Sequence, residues 1–320
     1  MNTSRYVLRK AGTAALGIFA TITLNFFLFR VLPGDAVSNL ARVPGGSPEL
    51  RQALMRQFGL DQPLWTQYLV YLRELARGNL GIAYSTMNPV SQDIWIAICN
   101  TVPMTILGIA IAIVFGVGTG VIAAWKRDTV VDTVISNGAT IIYSAPTQWV
   151  AIVLLLLFAS YLPSSGMSDP FALDTGFFAV IEDRLRHMIL PSLTLAIAVF
   201  GQYTLVTRSA VLSTLGDDYI LAAKAMGYPP SRILRKVAVP NALIPIVTLV
   251  ALSMGTVIGG SVVVETVFSW PGIGRAMYDS IVQRDYPMLQ GALLVLTVVI
   301  VLFNFLADMV NMKIDPRIVE

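Results

Sequence analysis

The sequence predicts an all-α integral membrane protein: six transmembrane helices, with a small helical extracytoplasmic insert after the first. Three observations carry that prediction. Hydrophobic residues make up 55% of the chain and charged residues only 13%, against about a quarter charged in an ordinary globular domain. The mean hydropathy is +0.70. Six runs contain no Asp, Glu, Lys, Arg or His: 11–29, 103–124, 141–162, 189–207, 242–264 and 289–307. Each approaches or exceeds the ~20 residues a helix needs to cross the hydrocarbon core. Backbone amides in lipid must be satisfied within their own segment, so these runs are helices and not strands.

The first run follows Arg5, Arg9 and Lys10. It is longer than a signal-peptide core and no small-residue cleavage site follows it, so it reads as a retained helix. The insert comes next. In "GSPELRQALMRQFG", Ser47 is placed to cap a helix, Pro48 to open it and Gly59 to end it. "DQPLWTQYLVYLRELARG" repeats that grammar between Pro63 and Gly78, with an apolar stripe of Leu64, Trp65, Tyr68, Leu69, Leu72 and Leu75. These features predict a helical cap packed on the outer mouth. Proline then marks three spans: Pro103 heads the second, Pro146 lies within the third and Pro191 comes early in the fourth. Glycines in 108–120 and 255–260 predict closely approaching helices.

Between the fourth and fifth runs lies a charged segment, 215–245. Asp217 or Asp218 can cap a helix running through Ala222, Ala223 and Met226, which Gly227 ends. Pro229 and Pro230 bar direct continuation, and "SRILRKVAV" leads to Pro240 and the fifth span. The prediction is a helix–turn–helix elbow at about 217–236 that presents small residues to a docking partner. The plainer reading is an amphipathic loop resting on lipid headgroups. An even number of spans puts both termini on one side with the loops 125–140 and 208–241. All five lysines fall there, Lys10, Lys126, Lys224, Lys236 and Lys313, so that side is predicted to be cytoplasmic.

Composition also excludes functions. One cysteine, Cys99, and one histidine, His187, rule out a disulfide within the chain and a His/Cys metal cluster. The net charge of +3 is not gathered into a stripe for nucleic acid. No GxxxxGK[ST] phosphate loop occurs. No nucleophile–base pair or carboxylate pair falls in one span, which sets a membrane enzyme aside. No ionisable residue lies in the six runs, which argues against a proton-coupled carrier. A sodium-coupled carrier would show paired broken helices in its two halves, and none is evident.

The elbow carries a resemblance. Importer permeases of the ABC class share a cytoplasmic motif: EAA, three residues, Gly, nine residues, then I-x-L-P. Here Leu221-Ala222-Ala223, Gly227 and Val237-Ala238-Val239-Pro240 fall at that spacing, with Leu221 in the place of the motif's glutamate. "LPGDAV", "FGLDQPLWTQYLVYL", "GNLG", "NALIPIVT" and "ETVFSWPGIGRAMYDSIVQRDYPMLQG" are similar to the dipeptide/oligopeptide/nickel branch, in its first-type subunit with the long loop after the first helix. The similarity runs from about residue 5 to 318.

The resemblance implies a type I importer permease (MetI-like) fold in a bacterial or archaeal cell membrane. It implies a heterodimer with a second permease, two separate ATPase subunits that hold the ATP and Mg, and an external substrate-binding protein. It implies no cofactor on this chain and no nucleic acid. The elbow would be the coupling helix, with Asp218, Ala222, Ala223, Met226, Gly227 and Arg232 as its contact residues. Peptides are the cargo the resemblance implies first, with nickel chelates and oligosaccharides as alternatives.

Gln202, Thr256, Ser261, Glu265 and Asn304 are polar residues in or beside the spans. They are candidates for the translocation path or an outer gate, and helix–helix hydrogen bonding accounts for them equally well. Glu265 has a local alternative, holding the "FSWPGIG" turn. Trp270 reads as an interfacial anchor. Arg208 and Asp308 read as snorkelling or paired charges. The predicted organisation is 1–30 as N-terminus and first helix, 31–96 as insert, 97–311 as a five-helix core, and 312–320 as tail.

Overall fold

The computed structural model describes residues 3–31, 62–171 and 176–314. They are nearly all helical, the one β feature being an isolated bridge between Ile82 and Pro89. The predicted 47–59 helix and "LPGDAV" lie outside the described residues. In chain order the helices are α1 (Thr3–Val31), α2 (Leu64–Ala76), α3 (Val90–Trp125), α4 (Val130–Ser144), α5 (Thr147–Phe158) and α6 (Phe177–Leu215). Then come α7 (Asp218–Ala225), α8 (Pro230–Ile233), a π-turn (Leu234–Ala238), α9 (Val239–Gly260), α10 (Val262–Val267), α11 (Ile273–Gln283) and α12 (Tyr286–Ile314). Among the described residues five helical stretches are long and apolar enough to cross a membrane, and the bent pair α4–α5 adds a sixth if it is counted as one span.

Several boundaries differ from the sequence expectation. α3 begins at Val90, so it crosses the expected 96/97 domain boundary and holds Pro103 in its interior. α6 starts at Phe177, well before the apolar run at 189, and reaches 39 residues, or about 58 Å. Apolar runs mark only the stretch that lipid must solvate, and a helix continues past it until something stops it. The expected loop 125–140 is only a short turn, because α4 starts at Val130. The run 141–162 is not one helix: α4 and α5 meet at 102°. Pro146 explains the break, since the residue before a proline is driven out of the α region, and Ala145 is extended at φ −73°, ψ 131°.

α6 is the central rod. α3 lies along it with small residues at the seam. A Cβ on Gly116 would stand 2.6 Å from Tyr203 Cβ, and one on Gly120 2.6 Å from the Thr204 carbonyl oxygen. Ala112 sits between Gly108 and Gly116 at the same four-residue interval and is buried. This is the small-residue spacing that lets backbones touch in lipid, where packing rather than water drives association. On its other side α6 meets α4 through Gly201, which lies against the Ala139 carbonyl and Tyr143. The expected glycine contacts are therefore present at 108, 116 and 120. Gly118 faces open space, and a Cβ on Gly255 would stand at ordinary contact distance, 3.5 Å, from Ile300 Cα on α12.

α12 packs between α9 and α1. Lys10 and Asp308 pair at 2.9 Å near one end of α1, and Asn25 donates to the Gln290 carbonyl at 2.9 Å near the other. The bundle thus has an elbow end, with α7 and α8, and an opposite end, with α2, α10 and α11.

Candidate coupling site

The elbow folds on a core of its own. Ile220, Ala223, Ile233 and Ala238 are buried together, with Leu215, Tyr228 and Val237 packed around them. α7 ends in a Schellman turn: Gly227 N–H donates to the Lys224 carbonyl at 2.9 Å and Tyr228 N–H to Ala223 at 3.2 Å. That turn needs a left-handed residue, and Gly227 supplies φ +77°. Pro229 and Pro230 then open α8 with Pro230 in its first turn. Arg232 lies over the Tyr228 ring, 4.4 Å from its centroid.

Two expectations change here. Ala223, taken as part of the presented face, is 3% exposed and forms the elbow's interior. Its methyl meets Ile220 one turn back, so it supports the surface and does not present it. Asp217 holds the N-cap position but makes no capping hydrogen bond. Its carboxylate accepts from the Tyr219 hydroxyl, whose pKa is raised by partial burial and by that carboxylate.

The surface itself is apolar at its tip. Leu221 is 60% and Met226 64% exposed, with Tyr219 and Ala222 beside them. Lys224, Arg232, Arg235 and Lys236 are exposed around it, as is Asp218. Leu221 puts a greasy side chain where the motif has an acid, so the tip gains apolar area and loses a charge.

At its base the elbow joins the bundle through Ala124, Val211, Leu234 and Ala242, which form one buried cluster from α3, α6, the π-turn and α9. Nearby, Arg208 on α6 grips Asp132 on α4 with two parallel hydrogen bonds, 2.6 and 2.7 Å. Ser136 Oγ and the Asp128 backbone N–H also donate to Asp132. Sequence reasoning foresaw a pairing role for Arg208 but not its partner, because 76 positions separate the two and no local spacing signals the match.

The residues proposed for the path or gate do not converge. Ser261 and Glu265 meet at the end opposite the elbow and both are fully buried. Glu265 Oε1 accepts from Thr101 Oγ1 at 2.7 Å and Ser261 Oγ at 2.9 Å, and Oε2 accepts from the Arg275 N–H at 2.9 Å. Thr101 Oγ1 in turn accepts from the Ile273 N–H at 3.0 Å. The carboxylate therefore ties α3, α10 and α11 around "FSWPGIG" and is not open to a passing solute. Trp270 is likewise buried, at 2% exposure, with its indole N–H on the Asn100 carbonyl at 3.0 Å. It locks that turn and is not an interfacial anchor. Gln202 is half-buried on α6, and Asn304 is exposed on α12. Thr256 lies on α9, and its side chain is outside the described residues. Among the described residues, no three His, Cys, Asp or Glu side chains gather to hold a metal ion.

Comparison with known proteins agrees with this architecture. Residues 116–320 match the family model for binding-protein-dependent transport system inner membrane components, and residues 3–107 match the N-terminal model of such components. The dipeptide transport system permease protein DppB of Escherichia coli (strain K12) is 34% identical, with 98% of each chain covered. The di/tripeptide permease DppB of Pseudomonas aeruginosa (strain UCBPP-PA14) is also 34% identical over 98% of each chain. The oligopeptide permease AppB of Bacillus subtilis (strain 168) is 32% identical over the same shares. In fold, the chain is similar to an inward-facing structure of the MetNI methionine ABC transporter, with TM-score 0.57 and 19% identity, over 70% of this chain and 97% of that one. The chain belongs to the family of binding-protein-dependent transport system inner membrane components, as a transmembrane permease subunit of an ABC importer.

Proposed function

We propose that this permease carries di- or oligopeptides, forms half of a path shared with a second, homologous permease, and is driven through its elbow by separate ATPase subunits. Full-length similarity to dipeptide and oligopeptide permeases supports the cargo. The observation that carries the coupling role is the exposed apolar tip, Leu221, Ala222 and Met226, raised on an independently packed core. A surface of that kind fits a cleft in another protein better than water. The lysine distribution supports a cytoplasmic position for the elbow and both termini, on the side where ATP is found.

In this reading ATP and Mg bind the partner subunits, and their closure moves the elbow. The shared base cluster of α3, α6, the π-turn and α9 passes that motion to several helices together. Docking shifts the inward–outward equilibrium only by its difference in affinity for the two states. An external binding protein delivers cargo to the opposite end.

Ala222→Trp tests the coupling, because Ala222 is exposed and the change leaves the elbow core intact. The variant is expected to insert and assemble as wild type while losing peptide uptake and binding-protein-stimulated ATP hydrolysis. Normal transport by Ala222→Trp would refute the docking role. Competition of labelled-peptide uptake by nickel chelates or oligosaccharides distinguishes the alternative cargoes.

A further inference from the structure

One exposed apolar face has no part in the coupling or the path: that of α2. Its inner side is anchored by aromatic contacts. Tyr68 and Tyr71 lie 5.2 and 5.4 Å from the Phe26 ring of α1, and the Tyr68 hydroxyl bonds Thr23 Oγ1 at 2.8 Å. Asn25, beside Phe26 on α1, donates to the Gln290 carbonyl of α12. These contacts set a level. Thr23 lies six residues inside the apolar end of α1 at Phe29, a depth of about 9 Å along the axis. Phe26 and Gln290 each lie about one turn inside the end of their own spans. α2 is therefore held beside the membrane-embedded part of the bundle and not above it.

The other side of α2 carries Trp65, 72% exposed, Leu69, 63% exposed, and Ala76 along one stripe. Thr66 and Arg73 follow on the adjacent edge. The stripe is continuous with the exposed apolar face of α1. Phe27 stacks 6.1 Å from Tyr68, and Tyr68 lies 6.3 Å from Trp65. Leu24 and Leu28 continue that surface down a helix that spans the membrane. An indole at the boundary and an arginine able to reach up from an apolar stem are the residues such a depth selects.

We propose that α2 is an interfacial helix, lying in the leaflet at the end opposite the elbow with Trp65, Leu69 and Ala76 among lipid acyl chains. The insert is then partly a membrane-bound collar and not wholly an aqueous cap. The inference is independent of the coupling role, since it rests on α1, α2 and α12 alone.

The test uses the assembled transporter in liposomes, with the exposed Cys99 changed to serine. Single cysteines are placed by Leu69→Cys, Ala76→Cys and Thr66→Cys, each labelled with an environment-sensitive fluorophore after uptake is verified. At 69 and 76, nitroxide lipids labelled high on the acyl chain are expected to quench several-fold more strongly than aqueous iodide. At 66 the balance is expected to move toward iodide. Stronger quenching by iodide at 69 and 76 would overturn the proposal, because the stripe then faces water. Shielding from both quenchers would overturn it too, because a second permease or the binding protein then covers the stripe.

Discussion

Glu265 shows how much one side chain can hold. A carboxylate only accepts, and the donors around it, two hydroxyls and the backbone N–H groups of Arg275 and Gly274, are aimed at its two oxygens. Glu265→Ala leaves those donors buried without a partner, which costs about 1–3 kcal/mol for each one left unpaired. We expect that variant to lose several degrees of thermal midpoint in purified complex, with uptake falling in proportion to folded protein. Glu265→Gln keeps one acceptor and is expected to cost about 1 kcal/mol. Unchanged stability with altered cargo selectivity in Glu265→Gln would show instead that the residue meets substrate. The sequence makes Glu265 visible as a lone acid beside a span, with a gate and a local tie as its two possible roles. Thr101 was not visible, because a threonine at the head of an apolar run carries no mark of a partner 164 positions away.

At the scale of elements, the α3–α6 seam makes an internally controlled prediction. Gly116 and Gly118 are the same residue two positions apart, one against Tyr203 and Phe200 and the other facing open space. Gly116→Leu forces the helices apart, and overpacking of this kind costs about 1–3 kcal/mol or more. Gly118→Leu meets nothing in this chain and gains helix propensity, close to 1 kcal/mol. Thermal unfolding of the two variants in detergent is expected to move in opposite directions. Glycine content pointed to a close seam, but the face each glycine occupies depends on where the helix lies. Helix ends were the least legible features. Hydropathy located the candidate crossings, yet α3 and α6 both run well beyond their apolar stretches. The third apolar run is broken at Pro146, a residue the sequence flags without revealing the size of the bend.

For the whole molecule, orientation is the property to test. With both termini and the elbow cytoplasmic, a cysteine introduced by Lys224→Cys in the Cys99→Ser background is expected to resist membrane-impermeant maleimide in intact spheroplasts. It should react once the membrane is opened. Tyr161→Cys, at an exposed site on the opposite end, is expected to react in intact cells. The reverse pattern would invert the topology and remove the elbow from the side that holds ATP. Lysine placement alone points to this orientation, because the five lysines gather on one side while arginines are shared.

The backbone-to-backbone seating of α3 on α6 has a mechanical consequence. Two rods meshed so tightly have no slack between them and must travel as one stiff keel. α9 and α12 meet more loosely at Gly255, where a Cβ would have ordinary room against Ile300. Any relative movement of the spans is therefore expected along that looser join before it reaches the keel.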